Sequence, residues 1–583
     1  MTSISKLARS SAGVGALIWS ICLFFHTGDS IETELIQKVF LLAVFVIVPL
    51  GLSLTATPNR LGSHSRIYFL AVVAQPVGAV TVLVSFFIEP GITAALLAAI
   101  WFGVNILIAL YGLSRFLQRG FFPWEETAID VGMLYLSVGG VWFVFSRLGI
   151  QPFGFGDTIV LLTAVHFHFA GFAAPILAGM AGRRLSTQRR TLSMFALAAV
   201  GIIGGTPLVA AGITFSPLTA LIGAIVISSG LMLLAILVIG RVLLGIDSLA
   251  GSILLAVSSV SSFTAMVLAC VYAYSIVQRE LIIDIPHMAM THGLANAFGF
   301  ALCGMAAWSI IQPQTRAAPP GIPFSRLPAG RYAGPDYFTR VSALSVLKAQ
   351  PLGLVDQFSV FRRADFDTDR VDPTVRSFYE ETFRYRLVVR PHWQPGFRIG
   401  GRVAHMLGGL VGQLRLPVAA ENLETNVESC LLPIDDASDG RTGVRGWIRT
   451  YGGTSQAMYV AAYATHSRLG NTYMNIAFPL PGGNLSSILH LAVSTSGERT
   501  GGVVLSTLGD AQAGGDQGVY YANQVIPVRL PINEVITVWP AKSEIGGGVN
   551  DNRLPVLLAK HEMWIFGVNF LNLDYDIFPV AIA

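Results

Sequence analysis

The chain of 583 residues is 53% hydrophobic and only 12% charged, which indicates an integral membrane protein and excludes a single small soluble domain. Its net charge of +4 includes no run of like charges, so nothing points to nucleic acid as a partner. Charged residues are about twice as frequent after Ile311 as before it. We therefore predict a transmembrane domain at residues 1–312, a Pro/Gly-rich linker at residues 313–330 and a soluble domain at residues 331–583.

Ten stretches of the first domain are long and apolar enough to cross a bilayer, for which a helix needs about 20 mostly apolar residues. They are residues 9–27, 37–56, 67–88, 92–114, 127–148, 157–182, 191–213, 216–240, 248–277 and 288–312. The first stretch has the basic flank and apolar run of a signal peptide. The spans behind it favour an uncleaved first helix.

The lysine and arginine residues between the spans predict the orientation, because short cytoplasmic loops retain positive charge. With the N-terminus inside, the outer loops carry only Lys38, Arg147 and Arg279. The inner loops carry the larger set, which comprises Lys6, Arg9, Arg60, Arg66, Arg115, Arg119, Arg183, Arg184, Arg189, Arg190 and Arg241. We expect a bacterial cytoplasmic (inner) membrane protein whose N-terminus and C-terminal domain are both cytoplasmic. The second expectation requires an even number of spans.

Two predicted spans carry histidine at bilayer depth. The sixth contains VHFHFAGF, with His166 and His168, and the tenth contains His292 and Asn296, which lie one turn apart on one face. From the helical rise, His166 and His292 lie about 13 Å and 9 Å below the outer ends of their helices, so they can share one site. His166 and His168 are about 200° apart on an ideal helix. We therefore expect only one of them to face that site.

An ionisable side chain inside a membrane is a functional candidate by default. The candidates for ligand binding or proton relay are His166, His168, His292 and Asn296. The three histidines are also the candidate ligands of a haem or a transition metal, although HxH spacing is a weak signal and no carboxylate accompanies it. The alternative is that neutral histidines hydrogen-bond across helices as structural contacts. Asp130 and Asp157 are interpreted as helix-end residues.

The C-terminal domain begins with two predicted helices. In DPTVRSFYEETFRYR, Asp372 is the expected N-cap and Pro373 the first helical residue. The segment GGRVAHMLGGLVGQL predicts a second helix that is weakened by glycine. Its apolar face packs on the domain's own sheet in the simpler interpretation and contacts the bilayer in the alternative one.

Beyond Leu416 the sequence consists of short β-branched and aromatic segments separated by Gly, Asn, Asp and Pro. This pattern predicts a β-rich α+β domain whose antiparallel sheet curls into a half-barrel or barrel, a form that can enclose an apolar ligand. Arg445, Arg449 and Tyr451, around Trp447, either form a polar pocket wall or lie in solvent. Phosphate-loop, nucleophile-elbow and zinc-protease motifs are absent from the sequence, which leaves enzymatic activity open.

The motifs TAVHFHFAGF and MTHGLANAFGF resemble those of the YndJ-like family of multi-pass bacterial membrane proteins, and the similarity covers the ten-span region. The resemblance implies a bacterial inner-membrane protein and no established activity. The residues that it singles out are His166, His168, Gly171, His292, Gly293 and Asn296.

Polar residues inside the membrane, combined with a sheet domain rich in apolar alternation, favour a protein that binds a lipid or another amphiphile and couples the bundle to a cytoplasmic domain. The expected partners are the bilayer and a lipid-like ligand. One alternative is a haem- or metal-dependent oxidoreductase or sensor that uses the intramembrane histidines. A transporter is less favoured, because no internal repeat is visible and the spans contain few charges.

Overall fold

The computed structural model describes residues 3–26, 30–57, 64–185, 189–313, 321–328, 330–418, 425–495, 497–509, 515–523, 525–541 and 554–580. The chain forms two compact units, Met1–Pro319 and Pro320–Ala583.

Ten long helices follow one another in the described part of the first unit. They are α1 Ser3–Cys22, α2 Ile31–Thr55, α3 Arg66–Phe86, α4 Ile92–Arg119, α5 Trp124–Leu148, α6 Asp157–Leu185, α7 Arg189–Phe215, α8 Pro217–Gly245, α9 Leu249–Gln278 and α10 Ile285–Ile311. Within the described residues, nine of them, α2 to α10, are long and apolar enough to cross a membrane. The predicted polytopic bundle is thereby confirmed.

The first predicted span corresponds to α1, which is not among those nine helices and whose first half carries Lys6 and Arg9. Its 20 residues extend about 30 Å, which is still long enough for a bilayer core. Gly15 lets α1 approach the backbone of Phe45 in α2. Arg9 donates a hydrogen bond of 2.8 Å to the carbonyl of Ser309 near the end of α10. The start of α1 and the end of α10 therefore lie at the same end of the bundle, as an even number of crossings requires.

Both helices that carry the histidine motifs widen into π-helix at the motif. The π-helical segments of the bundle are Ala43–Ile47 in α2, Phe167–Ala173 in α6, Val238–Val242 in α8, and Ala289–Gly293 and Ala295–Leu302 in α10. The segments of α2 and α6 lie against each other and against the second segment of α10. Such wide turns recur at functional sites, because they displace side chains from the regular helical positions.

The second unit is an antiparallel β-barrel. Its strands are β1 Tyr385–Trp393, β2 Thr425–Pro433, β3 Arg445–Tyr451, β4 Ala457–Arg468, β5 Asn471–Leu480, β6 Gly483–Val493, β7 Val503–Ser506, β8 Gly518–Ala522, β9 Pro527–Arg529, β10 Ile532–Pro540, β11 Leu557–Ile565 and β12 Val568–Pro579. The sheet runs β5-β4-β3-β2-β1-β12-β11-β10-β7-β6, and β6 pairs back with β5. Strands β8 and β9 extend from β6 outside this ring. The predicted curled sheet is confirmed, and it is closed.

Two helices accompany the barrel, α11 Pro373–Glu380 and α12 Arg398–Val411, together with one-turn helices at Tyr337–Arg340 and Asp436–Asp439. Helix α11 starts as predicted, since the Asp372 carboxylate accepts a hydrogen bond of 2.8 Å from the amide of Thr374. Its Phe378 and Tyr379 join the hydrophobic core of the barrel interior, as does Leu354 of the preceding segment.

Residues 321–328, which the sequence places in the linker, are instead part of the second unit. Ile322 and Leu327 are buried, because both are apolar side chains that find partners on the barrel. The Ser325 hydroxyl donates to the Asp439 carboxylate at 2.7 Å. The rest of the predicted linker includes residues 314–320 and 329, which lie outside the described residues.

Candidate functional site

His168 is fully buried, and both of its ring nitrogens are engaged. Trp101 Nε1 in α4 lies 3.1 Å from His168 Nε2, and His168 Nδ1 lies 2.8 Å from the Ala164 carbonyl oxygen. An indole N–H can only donate, so Nε2 accepts and the proton of the neutral ring is on Nδ1. Phe40 of α2 packs edge-on against the ring at 4.8 Å. His168 therefore joins three helices and has no lone pair left for a ligand.

His166 lies on another side of α6, where its side chain is exposed. Its Nδ1 is 2.7 Å from the carbonyl oxygen of Leu162, one turn earlier, to which it donates. Among the residues that the structure describes, Nε2 of His166 has no partner. Of the two histidines in this motif, only His166 can offer a ring nitrogen to a ligand.

His292 and Asn296 form a pair on α10. His292 Nδ1 lies 2.9 Å from the carbonyl oxygen of Ala265 in α9 and donates to it. The Asn296 amide Nδ2 is 3.2 Å from His292 Nε2 and 2.9 Å from the His292 carbonyl oxygen. The π-helical segment that follows His166 contacts the α10 segment Ala295–Leu302, which contains Asn296. The structure thus pairs His292 with Asn296 and holds His168 in separate contacts with Trp101 and Phe40.

In the described part of the chain, no three His, Cys, Asp or Glu side chains are grouped so as to hold a metal ion. The candidate metal ligands His166, His168 and His292 do not converge on one point. Trp101 already occupies the lone pair of His168, and the two α6 histidines lie on different sides of that helix.

Replacing His168 by leucine is expected to lower the free energy of unfolding by about 1–3 kcal/mol, because Trp101 Nε1 would be buried without an acceptor. The same change at His166 serves as the matched control. Its effect should remain within about 0.5 kcal/mol, since the side chain is exposed. Thermal unfolding of the two detergent-solubilised variants measures the difference, and equal losses of stability would contradict the assigned contacts.

A second polar cluster, which we call the arginine–carboxylate network, lies where α4 and α6 end and α5 begins. Its members are Arg115, Arg119, Glu126, Asp130 and Arg183. Arg115 Nη2 is 2.5 Å from Glu126 Oε2, and Arg183 Nε is 2.7 Å from Glu126 Oε1. Arg115 Nε is 2.9 Å and Arg119 Nη1 is 2.6 Å from the Asp130 carboxylate. All five side chains are buried or nearly so.

The arginine–carboxylate network also holds the end of α2. Arg115 Nη1 donates to the Thr55 carbonyl at 2.7 Å, and Arg183 Nη1 donates to the Leu54 carbonyl at 3.3 Å. The sequence interpretation missed this cluster, because it assigned the arginines to loops and Asp130 to a helix end. The available signal was the run of acidic residues in EETAID that follows two arginines four residues apart.

The barrel contains a partly open cavity of about 90 Å³. Most of its wall is apolar or aromatic, including Leu354, Phe378, Leu387, Met474, Ile476, Phe478, Leu505, Ile536, Val538, Ala559 and Ile577. A smaller polar set also lines it, consisting of Trp447, Arg449, Tyr459, Tyr463, Glu534, His561 and Tyr575. The cavity therefore combines a hydrophobic wall with a group of hydrogen-bonding side chains.

Arg449 supplies a positive charge to this cavity. Arg449 and Arg445 are both buried, so the interpretation that they lie in solvent is wrong. The Arg449 guanidinium lies between the rings of Trp447 and Tyr459, at 4.2 Å and 4.3 Å from their centroids. One guanidinium nitrogen donates to the Tyr463 hydroxyl at 3.3 Å. Arg449 Nε and Trp447 Nε1 are both buried, and neither has an acceptor among the described residues.

Glu534 and His561 form a hydrogen-bonded pair of 2.7 Å in the same cavity. Burial acts to raise the pKa of Glu534, but its hydrogen bond and charge interaction with His561, a hydrogen bond with Ser487 and the nearby charge of Arg449 together hold that pKa below its usual value. Burial raises the pKa of Tyr575 to about 12, so its hydroxyl stays protonated near neutral pH. Glu534 is therefore ionised and already paired, which leaves the donors of Arg449 and Trp447 for another acceptor.

These features define the chain as a polytopic helical membrane protein with a C-terminal β-barrel. Residues 38–300 match the sequence profile of the YndJ-like protein family, which confirms the resemblance of the membrane half. The chain is also 29% identical over 480 residues to a Bacillus subtilis (strain 168) protein named uncharacterized membrane protein YndJ, covering 82% of this chain and 83% of that one. Those 480 residues exceed the length of the first unit, so the similarity extends into the second. No solved structure matches the chain.

Proposed function

We propose that the protein binds an amphiphile in its β-barrel, with an anionic head group at Arg449 and an apolar chain against the surrounding wall. The observation that carries this proposal is the pair of buried donors, Arg449 Nε and Trp447 Nε1, which have no acceptors among the described residues and lie beside the barrel cavity. A buried donor without an acceptor costs about 1–3 kcal/mol. A bound acceptor group removes that cost.

The charges of the cavity favour an anionic group over a neutral one. The Glu534 carboxylate is bonded to His561, and no carboxylate among the described residues lies within ion-pair distance of Arg449. The rings of Trp447 and Tyr459 fix the guanidinium plane from both sides. A carboxylate or phosphate oxygen could accept from Nε and form the charge-assisted hydrogen bond that arginine makes best.

The size of the cavity restricts the ligand. Sites for drug-sized molecules usually occupy roughly 300–1,000 Å³. A cavity of about 90 Å³ is much smaller, which favours a head group with the start of a single narrow chain and disfavours fused rings. The proposed ligand class is therefore a single-chain acid, such as a fatty acid or an isoprenoid phosphate.

Lipid extraction of the purified full-length protein, followed by mass spectrometry, tests this proposal. We expect one single-chain anionic amphiphile at close to one molecule per chain, far above its share of the host membrane. A lipid profile with the same composition as the bulk membrane would contradict it.

A second candidate function is a polar ligand contact or a proton relay at His166, His292 and Asn296. It is supported by the Nε2 of His166, which has no partner among the described residues, and by the His292–Asn296 hydrogen bond in α10. Exchange of the imidazole C2 proton for deuterium, read by mass spectrometry, tests it. His166 should exchange several-fold faster than His168, and equal protection of both rings would contradict a water-accessible site.

A bound haem or transition metal at the candidate histidines is the remaining alternative from the sequence. It would draw on His166 and His292, since His168 is engaged. An absorption spectrum and elemental analysis of the same purified protein distinguish it from the relay, because only a metal centre gives colour or stoichiometric metal.

We further propose an inner-membrane location with the barrel in the cytoplasm. The Arg9–Ser309 contact supports an even number of crossings. The positive charges of the loops support the orientation, although Arg115, Arg119 and Arg183 belong to buried ion pairs and no longer count toward it. A green fluorescent protein fused after the barrel should fluoresce, whereas activity of a periplasmic phosphatase fused there would reverse the orientation.

A further inference from the structure

Helix α12 has its bulky apolar residues on the outside. Ile399 is 78% exposed, Met406 60% and Leu410 69%. Val403 and Leu407 are exposed on the same face, which follows the i, i+4, i+7, i+8, i+11 spacing of an amphipathic helix. We call these five residues the α12 apolar face. In a helix that merely covers a sheet, such residues would point inward.

Two glycines lie on the inner side of α12. A Cβ on Gly401 would lie 2.8 Å from the ring of Trp393, and one on Gly408 would lie 2.9 Å from the backbone of Arg415. Larger residues would not fit at these positions. The sequence thus places its smallest side chains against the domain and its largest apolar ones away from it, which contradicts the simpler interpretation that the apolar face packs on the sheet.

A hairpin tip continues the exposed apolar surface. Phe397, just before α12, lies with its ring centroid 6.1 Å from that of Phe570 at the start of β12. Phe566 in the turn between β11 and β12 is exposed, as is Val568 at the start of β12. The apolar surface therefore includes two neighbouring elements at the same end of the barrel.

We propose that the α12 apolar face inserts into the interface of an anionic phospholipid bilayer. Three observations select a bilayer as the occupant. Helix α12 contains no acidic residue and exposes Arg398 and Arg402 at its start, which complements anionic head groups. The combination of basic residues with a large apolar face is the pattern of helices that lie in the membrane interface.

The third observation is that the same chain carries membrane-spanning helices. Within the described residues, nine helices are long and apolar enough to cross a membrane. The protein is therefore already held in a bilayer, and insertion of α12 requires no additional partner.

Fluorescence quenching by lipid measures this insertion in the full-length protein. The four native cysteines, Cys22, Cys270, Cys303 and Cys430, are replaced by serine. An environment-sensitive label is then attached through Met406→Cys, or through Leu410→Cys as a second position. The protein is reconstituted in bilayers that contain phosphatidylglycerol and a lipid with a doxyl quencher near the head group.

The control label is placed at Leu469→Cys, which is equally apolar and 79% exposed. Leu469 follows the end of β4, whereas Arg415, just after α12, bonds to Met458 at the beginning of β4. At about 3.3 Å per residue, the 12 residues of β4 separate the two regions widely. The control therefore reports on a surface of the same barrel far from α12.

We expect at least about fivefold stronger quenching at positions 406 and 410 than at 469, because an inserted helix lies within the quencher layer. Two changes should weaken the binding of α12 to the bilayer. Replacing phosphatidylglycerol by phosphatidylcholine removes the anionic head groups, and the double substitution Arg398→Gln with Arg402→Gln removes the cations. We expect about fivefold weaker binding for each arginine charge that loses its contact. Equal quenching at 406, 410 and 469 would overturn the proposal. So would energy transfer between labels on separate chains without lipid quenching, which would assign the face to a second copy.

Discussion

Replacing Arg449 by methionine is expected to reduce the amphiphile that the purified protein retains by about tenfold or more. A hydrogen bond to a charged group contributes about 1.5–3 kcal/mol, and each 1.4 kcal/mol is about a factor of ten in affinity. Methionine fills part of the space between the Trp447 and Tyr459 rings and removes both the donors and the positive charge. Quantitative mass spectrometry of extracted lipid, normalised to protein, measures the loss.

Arg386→Met is the matched control. Arg386 is exposed on β1, where its guanidinium lies 4.9 Å from the Phe578 ring and donates to Asn426. It is not part of the cavity wall, so its loss should leave the retained amphiphile unchanged. If both variants retain as much ligand as the unmodified chain, Arg449 does not hold the head group.

Replacing Glu126 by glutamine is expected to lower the free energy of unfolding by about 3–5 kcal/mol, because breaking a buried ion pair leaves an uncompensated charge. Glu126 contacts both Arg115 and Arg183. Arg115 also contacts Asp130, the Thr57 hydroxyl and the Thr55 carbonyl, and Arg183 also contacts the Leu54 carbonyl. The substitution keeps the shape of the side chain but removes the charge that balances two buried guanidinium groups. Thermal or denaturant unfolding of the solubilised protein measures the loss.

Asp157→Asn is the control for this substitution, since Asp157 lies at the opposite end of α6 and is exposed. Its hydrogen bond with Gln151, at 3.1 Å, is also exposed. The change should alter stability by no more than about 0.5 kcal/mol. A Glu126→Gln variant as stable as Asp157→Asn would mean that the arginine–carboxylate network does not hold the four helices together.

The helices of the bundle were predictable because a bilayer requires long apolar segments, and composition alone reveals them. Helix α1 was also predicted, as the stretch 9–27, although Lys6 and Arg9 dilute the apolar character of its first half, and its packing places it in the bundle. The angular separation of His166 and His168 also predicted that the two rings would face different neighbours. Which ring would be buried depended on Trp101, more than sixty residues away, and sequence spacing carries no such information.

The strands of the barrel were visible as alternation between turns, but the closure of the ring was not. Pairing of β6 with both β5 and β7 is a property of the assembled sheet. The sequence also left open whether the Arg449 side chain points into the barrel. Alternation shows that Arg445, Trp447 and Arg449 share one face of β3, but it does not show which face is inside. Likewise, the arginines of α4 and α6 resemble loop charges until α5 brings Glu126 between them.

Photocrosslinking with a diazirine-bearing fatty acid tests binding in the barrel most directly. After irradiation of the full-length protein, digestion and mass spectrometry should find adducts on peptides of β3, β4 and β10, whose residues line the cavity. An excess of unlabelled fatty acid and the Arg449→Met substitution should both suppress these adducts. Adducts confined to the membrane helices, with none on the barrel strands, would contradict amphiphile binding in this cavity.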